Sequence, residues 1–155
     1  MALKGNRYLV VTEIGYFMDQ VAERGGIACL KTAGSGVALD QQAAEVEYAA
    51  NPSGKVPIGL LLDDMVDKDL TRTHLNTQKI EYQKGSKVAL LRDGWVVTDM
   101  LEGTGVVPVG GTVAYVGYSG LFTNDDNSEV NPAVGRFESS KDEDGYVKVY
   151  VKLPK

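Results

Sequence analysis

The sequence predicts an all-β chain, mainly antiparallel, folded as a small β-barrel or β-sandwich with a short N-terminal arm and one short helix. Three observations carry this reading. The closing stretch "KDEDGYVKVYVKLPK" alternates apolar and polar residues almost without fault. Eighteen glycines stand against five prolines, which points to many tight turns. After Gly26 the chain reads as roughly eight to ten short β-rich runs separated by turn residues, the pattern of a barrel or sandwich and not of alternating strands and helices.

The expected units are residues 1–25, an arm with a short helix, and residues 26–155, a single β-barrel domain. Tyr8–Val11 is apolar and β-branched, either a short strand or an extended arm. In "TEIGYFMDQVAERGG", Ile14, Phe17, Met18 and Val21 recur at helical spacing. Thr12 is placed to cap the helix and Gly25-Gly26 to end it. Gly15 weakens that helix by roughly 1 kcal/mol relative to alanine, and a loop plugging one end of a barrel is the alternative.

From Ile27 the expectations are all β. "IACLKT" is a short strand and "AGSG" a turn. "AEVEYAA" sets Val46 and Tyr48 against Glu45 and Glu47. "NPSGK" turns into "VPIGLLLDDMV", apolar on both faces and so central to a sheet. "DKDLTRTHLNTQKIEY" is polar, a loop with a helical turn or an edge strand. "SKVALLRDGWVVTDM" carries a hairpin signal, Asp93-Gly94 between two β-rich arms. "GGTVAYVGYSG" is another strand, and "AVGRFESS" pairs across "KDEDG" with the terminal one. There Val147, Val149, Val151 and Leu153 face inward, and Tyr146, Lys148, Tyr150 and Lys152 outward. Full burial of the four inward side chains is worth at most roughly 6–12 kcal/mol, so the tail belongs to the core.

Composition narrows the function. A net charge of −5 argues against coating DNA or RNA and against a polybasic membrane contact. The apolar runs are too short to span a bilayer, and "MALKGNRYLVVTE" lacks the apolar region of a secretory signal. One cysteine, Cys29, leaves no internal disulfide and fits synthesis in a reducing cytoplasm. The lone histidine, His74, has no nucleophile elbow to serve, and with Cys29 it makes no zinc site. "NPSGKV" ends in valine where a phosphate loop needs Ser or Thr. The acids Asp63, Asp64, Asp67 and Asp69, and those of "NDDNSE", lack the pattern of a calcium loop and read as solvated loops. No catalytic, metal or cofactor-binding residue is assigned. Tyr146, Tyr150 and Trp95 are candidate interface anchors, because aromatic side chains bury much area at small entropic cost. Covering the outer wall of the fold is the alternative role for the same side chains.

The segments "AERGGIACLKTAGSGVALD", "SGKVPIGLLLDDMVDKDLTRTHLNTQK", "GSKVALLRDGWVVTDM", "AYVGYSG" and "VGRFESSKDEDGYVKVYVKLP" resemble the capsid decoration, or cement, proteins of tailed bacteriophages. The resemblance runs from Ala22 to Pro154 and lies in the order of whole segments, without a catalytic signature. It implies a non-enzymatic virion protein, made in the host cytoplasm and placed on the outer capsid surface. The implied partner is the major capsid protein, bound by a homotrimer, with no direct contact to nucleic acid or membrane. Residues 1–11 are then the arm, with Arg7 and Tyr8 as contact candidates. A receptor- or glycan-binding virion module using Trp95 and the tyrosines is the first rival. A small metal-dependent hydrolase built on Asp63 and Asp67 is the second.

Overall fold

The computed structural model describes residues 3–34, 44–62, 81–103 and 105–154. Its strands are β1 (Tyr8–Met18), β2 (Ala22–Glu23), β3 (Ile27–Thr32), β4 (Glu45–Glu47), β5 (Pro57–Leu61), β6 (Glu81–Tyr82), β7 (Lys87–Thr98), β8 (Val113–Val116), β9 (Phe122–Thr123), β10 (Ala133–Phe137) and β11 (Val147–Lys152). The only helical element among the described residues is a 3-10 turn at Tyr118–Gly120. The expected all-β class is therefore what the chain adopts. Nine strands form one mostly antiparallel sheet in the order β1-β4-β3-β5-β7-β11-β10-β8-β9, and β2 pairs with β6 apart from it.

A further pairing joins β1 to β7. Hydrogen bonds thus run in a circuit through β1, β4, β3, β5 and β7 and back to β1. The β1–β4 link is parallel, with Phe17 opposite Glu45 and Met18 opposite Val46, while the other pairings of the circuit are antiparallel. Beyond β7 the sheet continues through β11, β10, β8 and β9.

Period-2 alternation explains how one sheet supports two cores. Ala28, Leu61, Val88 and Leu90 belong to one buried cluster with Met18, Val46, Tyr48 and Tyr82. Their chain neighbours Ile27, Cys29, Leu60, Leu62, Ala89 and Leu91 belong to the other, with Val96, Phe122, Phe137, Val149 and Val151. Strands apolar on both faces are thereby accounted for: β3, β5 and β7 separate the two clusters. In the larger cluster Phe122 and Phe137 meet edge to face, with centroids 6.4 Å apart. The buried tyrosine hydroxyls of the smaller one are satisfied. Tyr48 donates to the Glu23 carbonyl and accepts from the Gly26 N–H at 3.1 Å, and Tyr82 donates to the Leu62 carbonyl. Burial pushes the Tyr48 hydroxyl well above its ordinary range.

The terminal strand follows the sequence pattern. Val147, Val149, Val151 and Leu153 are buried, and Asp144-Gly145 turns the chain into β11, with Gly145 at φ +90.

Two expectations need correction. The helix predicted from Thr12 does not form; Tyr8–Met18 is one long strand. Its register against β7 shifts between Leu9 and Val11, between Val11 and Thr12, and between Glu13 and Tyr16. Each such bulge breaks the period of two, and the resulting apolar spacing imitates a helical one. The Asp93-Gly94 hairpin does not form either: Asp93 and Gly94 lie inside the twelve-residue strand β7. Gly94 has φ +150, and a Cβ there would stand 2.1 Å from the Tyr8 carbonyl oxygen, so the glycine serves close approach of β1 and not a turn. Within the stretch expected as an arm, Leu3, Lys4 and the residues from Tyr8 contact this chain's own sheet. Leu3 is buried and bridges to Thr98, the Lys4 N–H donates to the Val97 carbonyl, and Tyr8 pairs with Trp95. The acids Asp63–Asp69 and His74 lie outside the described residues.

Candidate interaction surface

The outward residues of β11 stand on a face that spans five strands. Tyr8 of β1 is opposite Trp95 of β7, and Trp95 is opposite Tyr150 of β11. Tyr150 is opposite Arg136 of β10, which in turn is opposite Val113 of β8. Directly opposed residues share a face, so these five side chains form one row roughly 19 Å long, four strand spacings. Their backs, including Val96, Val149 and Phe137, are buried, which fixes the row on the outer surface.

Three of the five sequence candidates, Tyr8, Trp95 and Tyr150, are thus cross-strand neighbours. Tyr146 lies just before β11, where no strand register places it in the row. Arg7 is half-buried ahead of β1, and no strand register places it in the row.

Trp95, Tyr150 and Tyr146 are each held by a charged neighbour. Lys148 Nζ sits 4.1 Å above the Trp95 ring and 3.3 Å from Glu138, a carboxylate that also has Arg136 at 3.6 Å. The Tyr150 hydroxyl donates to Asp93 at 2.7 Å, and this bond is the main cause raising the Tyr150 ionisation above its ordinary range. Lys4 Nζ sits 4.1 Å above the Tyr146 ring and 3.6 Å from Asp142. Asp142 accepts the Tyr146 backbone N–H at 2.7 Å, and that bond, with Lys4 assisting, holds its carboxyl below the usual range. Single exposed ion pairs contribute little to stability. Their effect here is geometric: the lysines stacked on Trp95 and Tyr146 restrict the ring rotamers and pre-order an aromatic surface set among paired charges.

Sequence reasoning found the aromatic residues and missed Arg136, Glu138 and Asp93, whose membership depends on strand register. It also missed an apolar stripe on β1, where Tyr8, Val10, Val11 and Ile14 are 59%, 54%, 46% and 56% exposed. The bulges turn successive residues outward there, which strict alternation would forbid.

Other surface features carry less. In "NDDNSE", Asp125 and Asp126 accept the backbone N–H groups of Asn127 and Ser128, as loop-forming side chains do. Among the described residues there is no group of three His, Cys, Asp or Glu side chains placed to hold a metal ion.

Compared with known proteins, residues 6–152 match the model of a phage cement family described as "Structural cement protein (E217 gp24/Pam3 gp6)". No curated protein matches the chain.

Proposed function

We propose a capsid-stabilising role for this chain, which belongs to the phage structural cement protein family. The observation that carries the proposal is the family match across residues 6–152, nearly the whole chain. In this reading the protein is a virion component without catalytic activity. It binds the outer surface of a phage head, holds neighbouring capsomers of the major capsid protein together, and does so as a homotrimer.

The physical chemistry of the surface supports the reading. A protein of net charge −5 is repelled by packaged DNA and suits the outside of a shell. The row from Tyr8 to Val113, with Lys148 and Arg136 at its centre, is the face we assign to capsid contact. Tyr146 flanks that face, and Arg7 stands beside Tyr8 at its β1 end. Rigid aromatic side chains with ordered lysines lose little entropy on docking. We read the circuit of β1, β4, β3, β5 and β7 as a closed barrel, a form with no free edges that resists deformation when capsomers move. A trimer presenting three such faces gains avidity from contacts that are each modest.

The glycan-binding alternative asks for an open aromatic platform. One face of the Trp95 ring is already covered by Lys148, which weakens that reading.

Co-sedimentation with undecorated heads, followed by imaging, tests the proposal. Saturable binding at repeated outer-surface positions is expected, weakened about tenfold or more by Trp95→Ala. Absence of binding to the heads of the parent phage contradicts it. Sedimentation analysis of the free protein tests the trimer separately.

A further inference from the structure

The alternation that lines the circuit continues past its buried core to one mouth of the circuit. Val88 and Leu90 of β7 face the interior, and two residues on the same face carries Arg92. Tyr16 precedes Met18 in the same way, Leu30 follows Ala28, and Ala44 precedes Val46. These four residues, together with Glu13, Gly15 and Ala33, line a pocket of about 420 Å³. That volume lies within the range of small-ligand sites.

The pocket is lined by one cation, Arg92, and one anion, Glu13. Arg92 Nε is buried and has no hydrogen-bond partner. Its terminal nitrogen reaches the Tyr16 hydroxyl at 3.4 Å, long for a hydrogen bond. Among the described residues no carboxylate forms an ion pair with it. Glu13 shares the pocket, but its Oε1 accepts the Gly15 N–H at 3.0 Å. A buried guanidinium Nε–H left without an acceptor carries a desolvation penalty, and an incoming carboxylate removes it through two parallel hydrogen bonds. On β1, which supplies Glu13, Gly15 and Tyr16 to the pocket, Val10, Val11 and Ile14 are exposed. Apolar side chains exposed this way on a strand mark a surface meant to be covered.

We propose that the mouth of the circuit is a receptor for an acidic side chain, carried on an extended apolar segment of the shell protein that lies along β1. Arg92 binds the carboxylate, Leu30, Ala33 and Ala44 form the apolar wall, and Val10, Val11 and Ile14 hold the flanking residues. The bulges of β1 oppose continuous strand addition, so side chains and not a backbone ladder make the contact. The assignment rests on the cement reading and adds to it a second contact, distinct from the Trp95–Tyr150 face.

The test measures binding of the full-length protein to undecorated heads at several salt concentrations. Arg92→Gln is expected to weaken binding about tenfold or more and to flatten its salt dependence, with an unchanged melting temperature. Arg92→Lys, which keeps the charge but loses the planar fork, falls between the two. Ile14→Ser, a change at a residue 56% exposed, weakens binding several-fold on its own. Wild-type binding with Arg92→Gln and Ile14→Ser both unaffected overturns the proposal and leaves the cement reading intact. A loss of binding that merely follows unfolding of Arg92→Gln also overturns it, as does a self-association of free protein that Arg92→Gln abolishes. Failure of the wild type to bind heads at all refutes the cement reading itself.

Discussion

Replacing Gly94 by alanine tests how β1 is fixed to β7. Two separate terms act at this position. The residue has φ +150, where an L side chain is strained, at a cost of about 1–3 kcal/mol. The new Cβ would also stand 2.1 Å from the Tyr8 carbonyl oxygen and 3.2 Å from Leu91 Cδ1. The first of these neighbours is backbone and cannot rotate away, so β1 must move, adding about 1–3 kcal/mol of overpacking. A total near 4 kcal/mol lowers the melting temperature by about 8–16 °C in a domain of this size. Two control substitutions separate the terms. Gly54 has φ +69 with nothing within 4 Å of a Cβ, so Gly54→Ala carries strain alone, about 1–2 kcal/mol. Gly105 has open space and no positive φ, so Gly105→Ala is expected to be neutral or slightly stabilising. Urea unfolding followed by tryptophan fluorescence is the assay, because Trp95 is the single tryptophan and pairs with Tyr8 at the perturbed junction. A Gly94→Ala protein within about 1 kcal/mol of Gly54→Ala would refute the close-approach argument.

Further outcomes follow from the same structure. Phe137→Ala empties a fully buried site and removes the edge-to-face contact with Phe122, a loss of about 3–5 kcal/mol measurable by calorimetry. Burial pushes the Cys29 thiol up to about 11, so iodoacetamide at pH 8 should label it only after unfolding; rapid labelling of folded protein would contradict its place in the core. The Asp142 carboxyl is held low in the folded state, first by the Tyr146 N–H. Its contribution is therefore present above an unfolded pKa of about 4 and lost as pH falls through the folded value. The stability gap between wild type and Asp142→Ala should narrow on acidification from neutral pH, and a widening gap would reverse the assigned sign.

The sequence was most readable where a strand has one wet and one dry face. In β11 the alternation of Val147, Val149 and Val151 with Lys148 and Tyr150 maps directly onto burial. Continuous apolarity in "PIGLL" likewise placed β5 inside the sheet, where Gly59, Leu60 and Leu61 are all buried. Legibility failed where tertiary contacts override local signals. Bulges in β1 disguised a strand as a helix because the constraint comes from its register on β7. Gly94 resembled a turn because the reason for the glycine, the Tyr8 carbonyl, is remote in sequence. The same limit applies to the surface. Trp95 and Tyr150 could be named as exposed aromatic residues, but their alignment with Tyr8 and Arg136 depends on pairings between distant strands. Arg92 carried no sequence signal, since its significance comes from the partner that its buried Nε lacks.

Heating purified, DNA-filled heads that lack this protein, and recording the temperature of DNA release as protein is added back, tests the central claim most directly. A saturable rise in release temperature, tracking the number of copies bound, is the predicted result. Heads that bind the protein to saturation yet rupture at an unchanged temperature would show that it decorates the shell without reinforcing it.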